Sequence, residues 1–363
     1  MTLNDKRQKR GFTMPRFLRP FVVVPVLFLA SLSPGYAAAP APSPTTPALV
    51  AAATKEGTVI FYTSMDLQVA ESLAKAFQDK YPGVTVQVER SGAERIYQRI
   101  TQEYDSNIHN VDVVDSSDAA NLVDYKHRGW LIPYVPADLA KWPANQKDPD
   151  GYFAANRATL SVIGYNTKLI QPGDAPKSYA DLLDPKWKGK IVKAHPSYSG
   201  NIMTATYEIS KAPGLGWAYM QKLTQQGIMQ VQSSTEPPKK LALGERPVMF
   251  DGNEYNALML IDAGAPIKIV YPVEGTPLIT GAAGVMKDAP HPNAARLFIN
   301  YLFSTEAQQL LVTTGELRSF NPGVKEPAGR VPLSKIKVFT ADPTEQEKAV
   351  DEIKQKYAEY FGT

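Results

Sequence analysis

Short apolar runs alternate with amphipathic stretches along most of this chain. Gly57-Thr58-Val59-Ile60-Phe61-Tyr62 has the length and composition of a strand, and Thr63-Ser64 ends it. Beyond Asp66, the residues Val69, Ala70, Leu73, Ala74 and Phe77 recur at helical spacing until Pro82-Gly83 stops the pattern. Residues 84–88 read as a second strand, and Ser91-Gly92 turns the chain into a helix carrying Ile96 and Ile100. Residues 111–114 read as a third strand, and Ser116-Ser117-Asp118 opens a helix through Leu122 and Tyr125 to Gly129. This rhythm predicts an α/β fold of parallel strands with helices on both faces.

The second half continues less regularly. Residues 159–165 suit a strand linking two lobes, and Pro185-Lys186-Trp187-Lys188-Gly189-Lys190-Ile191 reads as a turn into a strand. Helices are predicted over 202–210, 217–226, 294–302, 306–314 and 344–361, with a further strand at 267–271 returning towards the first lobe. The stretch 248–259 joins the two patterns. Val248 to Phe250 is an apolar strand, Asp251-Gly252 signals a turn, and a helix follows to Gly264. Asn253, Glu254 and Tyr255 therefore stand at a strand-to-helix junction, where helix-start N–H groups meet ligands in open α/β sheets. The plainer alternative is that Asn253 caps the helix and Tyr255 packs.

Three strands of the first half end in small hydroxyl residues or glycine just before a helix: Thr63-Ser64, Ser91-Gly92 and Ser116-Ser117. Each alone suits an ordinary N-cap. Together they line one edge of one sheet with hydroxyls and free N–H groups, as a polar solute requires. Ser199-Gly200-Asn201, before the helix at 202–210, offers a similar start in the second half.

Charge changes this picture at the N-terminus. Of 39 basic and 36 acidic residues, six basic and one acidic fall within 1–37, which leaves 33 and 35 beyond it. The basic excess belongs to the leader, so nucleic acid is not an expected partner. Basic residues from Lys6 to Arg19, an apolar run over 21–30 and small residues to Ala39 predict a signal peptide over 1–37. Met14 is an alternative start. Residues 38–53, rich in Ala, Pro, Ser and Thr, read as a flexible spacer. The chain has no cysteine, which excludes disulfides, thiolate chemistry and a lipid-modified cysteine at the cleavage point. A free, exported, periplasmic monomer is expected.

Catalytic patterns are absent. The four histidines, His109, His127, His195 and His291, are far apart in sequence, and no nucleophile turn or phosphate loop is present. Ser72-Leu73-Ala74-Lys75 has the Ser-x-x-Lys spacing but lies on an amphipathic helix away from the strand ends. The reading is of a binding protein and not an enzyme, with no cofactor.

The motifs in this order resemble the periplasmic solute-binding proteins of ATP-driven (ABC) importers, in the group containing ferric-ion and phosphonate binders. The resemblance rests on Val59-Ile60-Phe61-Tyr62-Thr63-Ser64, Asp112-Val113-Val114-Asp115-Ser116-Ser117-Asp118-Ala119, Gly164-Tyr165-Asn166-Thr167-Lys168-Leu169, Asp184-Pro185-Lys186-Trp187-Lys188-Gly189 and Asn293-Ala294-Ala295-Arg296-Leu297-Phe298. It implies a two-lobed type II binding-protein fold, with residues 54–158 and 276–322 in one lobe and 159–275 and 323–363 in the other. It also implies closure about crossover strands and delivery of a small-molecule solute to an inner-membrane permease.

The same resemblance bears on the solute. Ferric members hold iron through two adjacent tyrosines, a histidine and an acidic residue. Here the tyrosine pair falls on Glu254-Tyr255, the histidine on Asp66 and the acidic residue on Ser117. Asp66, Glu254 and Tyr255 would be the oxygen set for ferric ion, a hard cation. Ser199-Gly200-Asn201 matches the segment that holds the partner anion. The expected site is therefore Thr63, Ser64, Ser91, Gly92, Ser116 and Ser117 from one lobe, with Ser199, Gly200, Asn201, Asn253, Glu254 and Tyr255 from the other. A small oxyanion-bearing organic solute is favoured over iron. Arg95 could add charge, although a solvated helix-face arginine is the commoner role.

Overall fold

The structure, a computed structural model, describes residues 39–362. The expected signal peptide, residues 1–37, therefore lies outside the described residues. The first part of the chain forms α1 (Pro47–Glu56), β1 (Thr58–Thr63), α2 (Leu67–Lys80), β2 (Thr85–Arg90), α3 (Ala93–Asp105), β3 (Val113–Ser116) and α4 (Ala119–His127). The middle forms β4 (Phe153–Asn166), β5 (Ile191–Ala194), α5 (Gly200–Lys211), α6 (Gly216–Leu223), β6 (Met229–Val231), α7 (Glu236–Ala242), β7 (Val248–Asn253), α8 (Glu254–Asp262) and β8 (Ile267–Val270). The last part forms β9 (Thr276–Val285), α9 (Pro292–Leu302), α10 (Thr305–Thr313), β10 (Val338–Phe339) and α11 (Pro343–Phe361).

The strand order is β2-β1-β3-β9-β4-β7-β5-β6, with β8 beside β4 and β10 beside β9. β1 pairs parallel with β2 and with β3, as the β-α rhythm predicts. β9 then runs antiparallel to β3. The strand that makes two lobes from this order is β4. Its first half, Phe153 to Leu160, pairs with β9, and from Ser161 onward it pairs with β7 and β8. One extended strand thus belongs to both halves of the sheet. A further crossing lies beside it, where Ala158 bridges Arg318.

Each lobe has its own core. In the first, Phe61, Phe77 and Phe298 are fully buried, and Phe298 meets each of the others edge-on at 5.0 Å between ring centroids. In the second, Tyr179 packs on Phe250 at 5.4 Å and Tyr357 of α11 joins the same cluster. Burying each such ring stabilises the fold by about 1.5–3 kcal/mol, which lets a chain without disulfides hold two lobes.

Three expectations need correction. Residues 38–53 are not all spacer. Thr46 caps α1 by accepting from the Leu49 N–H, Pro47 starts the helix, and Ala53 is fully buried in the first core. Asp251-Gly252 does not turn the chain. β7 runs on to Asn253, because the Asp251 carboxylate accepts from the Ala194 N–H at 2.8 Å and pairs with buried Lys193 at 3.2 Å. Those partners satisfy a polar side chain inside a strand, so no break is needed. Finally, β8 does not return to the first lobe. It pairs antiparallel with the second half of β4, and β9 is the strand that returns.

Candidate functional site

The strand ends of both lobes meet around a cavity of about 30 Å³. The first lobe contributes Ser64 after β1, Arg90 at the end of β2, Gly92 before α3 and Ser117 after β3. The crossover strands contribute Arg157 and Thr159 from β4 and Ile279 and Gly281 from β9. Facing them are Tyr198, Ser199 and Asn201 at the start of α5, Ser233 to Thr235 before α7, and Asn253 and Tyr255 at the β7–α8 junction.

The lobes touch around this cavity. A Cβ on Gly92 would lie 2.5 Å from the backbone oxygen of Tyr198, so only glycine permits that approach. A Cβ on Gly200 would lie 2.8 Å from the Cβ atoms of Ala93 and Asp118 in the other lobe. Arg95 reaches across to Gln232 at 2.6 Å and lies over the Tyr198 ring at 5.7 Å. It is therefore a bridging residue and not a free helix-face arginine.

Of the twelve expected site residues, seven line the cavity: Ser64, Gly92, Ser117, Ser199, Asn201, Asn253 and Tyr255. Thr63 does not. Its hydroxyl donates to Asp115 at 2.8 Å and accepts from the Met65 N–H, which holds the end of β1 in place. Ser91 gives its N–H to the Thr63 carbonyl, and the Ser116 hydroxyl accepts from the Asp118 N–H and from Asn121. Gly200 is not among the lining residues and stands against Ala93 and Asp118. Asp66 caps α2 by accepting from the Gln68 N–H.

Glu254 is the largest correction. It is fully buried and points away from the cavity towards Arg318, which donates to both carboxylate oxygens at 2.8 Å. Tyr271 donates at 2.5 Å and Arg330 lies at 3.4 Å. Burial pushes the carboxyl up, but the hydrogen bonds and charge of Arg318, with the charge of Arg330, win and hold it below the usual range. Tyr255 is buried, and its phenol is pushed up to about 12, first by burial and then by the Asp66 charge, against the opposing pull of Arg157 and Arg90. Asp66 and Tyr255 thus stand near one another, but Glu254 does not join them as a free ligand. Among the described residues no group of three His, Cys, Asp or Glu could hold a metal ion.

The residues missed from the sequence are the arginines. Arg157 lies along the Gly281 backbone, where a Cβ would come within 2.1 Å of its guanidinium. It pairs with buried Asp115 at 2.9 Å and donates to Ser64 at 3.1 Å. Ser64 in turn accepts from the Ser117 N–H at 2.7 Å, so one chain of bonds orders the Ser64 hydroxyl and the Ser117 backbone. A charged residue within the apolar run 153–163 was the available signal, since a buried charge demands partners. Arg90 gives its Nε–H to the Met65 carbonyl at 3.0 Å. In the other lobe Asn253 bonds Asn201, and gives its side-chain amide to Ser234 at 3.1 Å and Asn256 at 2.9 Å. Among the described residues no carboxylate lines the cavity. Two guanidiniums, hydroxyls from both lobes and side-chain amides form an environment for a small oxyanion group.

Comparison with known proteins agrees with this architecture. Residues 72–344 match the model of the bacterial extracellular solute-binding protein family. Iron uptake protein A2 of Synechocystis is 25% identical over 290 residues, 75% of this chain and 81% of that protein. A 2-aminoethylphosphonate-binding periplasmic protein of Salmonella typhimurium, itself assigned only provisionally, is 29% identical over 157 residues, 41% of this chain and 45% of its own length. Among solved structures, the periplasmic binding protein AfuA of Actinobacillus pleuropneumoniae, with exogenous fructose-6-phosphate bound, superposes with a TM-score of 0.78 at 23% identity. The match covers 84% of this chain and 99% of that one. The fold is thus the two-lobed type II periplasmic-binding-protein fold.

Proposed function

This chain belongs to the bacterial extracellular solute-binding protein family, and we propose that it captures a small oxyanion-bearing organic solute between its lobes for an ABC importer. One observation carries the choice of solute: Arg90 and Arg157 line the cavity and, among the described residues, no carboxylate does. The arrangement favours a negatively charged oxygen group, bound by guanidiniums, hydroxyls and amide groups. An ammonium group on the solute would find no carboxylate in the cavity wall, since Glu254 is committed to Arg318. The cleft residues of this reading are Ser64, Arg90, Gly92, Ser117 and Arg157 facing Ser199, Asn201, Asn253 and Tyr255.

We read the protein as a binder without turnover, in keeping with its membership of a family of solute-binding proteins. It is exported to the periplasm as a monomer and hands its solute to an inner-membrane permease. N-terminal sequencing of periplasmic protein tests the export; a start at Met1 or Met14 overturns it.

Ferric ion is the competing solute. It is favoured by the nearness of Asp66 to Tyr255, which supplies two oxygen groups, and opposed by the guanidinium of Arg90, which repels a trivalent cation, that of Arg157 being paired with Asp115. Native mass spectrometry of freshly purified protein, followed by calorimetric titration with 2-aminoethylphosphonate, fructose-6-phosphate and ferric citrate, separates the two. Binding of a phosphorus oxyanion that weakens about tenfold or more in Arg90→Ala and Ser199→Ala supports the proposal, as expected for loss of a charge-assisted bond. A tyrosinate-to-iron absorption band that vanishes in Tyr255→Phe overturns it.

A further inference from the structure

The C-terminal helix α11 touches both lobes, and its two ends do so differently. Its last turns are set in the second lobe's core. Tyr357 is fully buried there, receives a hydrogen bond from buried Lys193 at 3.0 Å and donates to Gln230 at 2.8 Å. Phe361 stacks on Tyr357 at 4.4 Å, and Tyr360 meets Trp217. These are core contacts, made on the side of β5, β6 and α6.

Towards the first lobe the same helix packs alongside α4, and its polar contacts there are made by side-chain tips. Buried Gln346 gives its side-chain N–H groups to two acceptors, Asp118 at 2.9 Å and Thr204 at 3.0 Å. Asp118 caps α4 in the first lobe and Thr204 lies on α5 in the second, so one amide spans the gap. Lys354 pairs with buried Glu94 of α3 at 2.9 Å, and Glu347 meets His127 of α4 at 3.0 Å.

The position of Gln346 couples it to the cleft. On β9, Ile279 and Gly281 face the cleft, while Leu278, Thr280 and Ala282 face a second cavity of about 450 Å³ behind the crossover strands. Successive side chains of a strand point to opposite faces, so the two cavities share one hinge wall. Gln346 and Thr204 line the rear cavity. Asp118 directly follows Ser117 of the cleft, and its N–H is held by Ser116. Asp118 also meets Gly200, next to Ser199, across the lobe gap, so a rotation that parts Ser117 from Ser199 parts Asp118 from the start of α5, which carries Thr204, and Gln346 cannot keep both partners.

We infer that Gln346 and Lys354 are positioning residues that hold the cleft closed, with α11 anchored in the second lobe and latched onto Asp118 and Glu94 of the first. This rests on the proposal that the lobes close on a solute. Lys354 neutralises a carboxylate that closure buries, and Gln346 supplies a bond to each side of the moving gap. Neither touches the cleft itself, so both act through lobe geometry.

The absence of cysteine makes a direct test clean. Spin labels at Asp79→Cys on α2 and Lys222→Cys on α6, both exposed, report the distance between lobes. We expect Gln346→Ala and, separately, Lys354→Ala to move the distance distribution to longer values and to lower the closed-to-open ratio about tenfold, as for loss of one buried bond or ion pair. Lys354→Arg should retain the closed distance. Thermal melting confirms that each variant is folded, and the half-exposed Lys354 keeps the test available if Gln346→Ala does not fold. Distributions that superimpose on the parent protein overturn the latch, even where a solute binds. A shifted distribution with no solute found upholds the latch and leaves the choice of solute to fall alone.

Discussion

Arg318 grips Glu254 with two hydrogen bonds of 2.8 Å, one to each carboxylate oxygen, and both side chains are 1% exposed or less. The pair joins the crossing segment beside Ala158 to the first residue of α8. It converts what looks in the sequence like a ligand carboxylate into part of the frame that sets Tyr255 against the cleft. Breaking such a pair strands a buried charge. We expect Glu254→Gln to destabilise the protein by about 3–5 kcal/mol, measured by urea unfolding, while the fraction that remains folded keeps its solute. A stable Glu254→Gln protein with abolished binding would return Glu254 to the cleft.

Gly92 bounds how far the lobes can close. A methyl group there would meet the Tyr198 carbonyl oxygen at 2.5 Å, and backbone cannot move aside as a flexible side chain can. Because the clash exists only between lobes, Gly92→Ala should weaken solute binding by about 1–3 kcal/mol with little change in melting temperature. Calorimetry and melting of the same preparation check both. A large drop in melting temperature would place the strain within the first lobe instead.

Asp118 makes stability depend on pH. Its carboxyl is pushed up, to about 8, first by burial and then by the charge of Glu94. The Ala120 N–H and Lys354 oppose that shift without overcoming it. The folded state therefore binds more protons than the unfolded chain between about pH 4, the ordinary carboxylate value, and about pH 8. This contribution to stability is full below the lower value and is lost as pH rises through the upper one. Asp118→Asn keeps an acceptor for the Ala120 N–H and places an amide where one carboxylate oxygen lacks a partner. It should stabilise the protein at pH 8 by about 1–3 kcal/mol and have little effect at pH 4. Unfolding curves across that range check it; an unchanged pH slope refutes it.

The sequence alone determined the α/β class, the order of most elements and the family resemblance, because these depend on local periodicity and on motifs that are contiguous. Val69, Leu73 and Phe77 face one core simply because they recur at helical spacing, and all three are buried. Ser64, Ser117 and Ser199 were legible as cavity candidates because a small residue between a strand and a helix stands near the strand ends, but the same pattern drew in Thr63, Ser91 and Ser116, whose polar groups are spent on local bonds. What only the tertiary structure decided is which side chain each polar group meets. Nothing near Glu254 in sequence reveals Arg318, 64 positions later, so its carboxylate could be read as free. Nothing near Arg157 reveals that Gly281 leaves it room beside Asp115. The charge of the cleft follows from those long-range pairings, since a buried ion is settled by its partner and the partner is chosen by the fold.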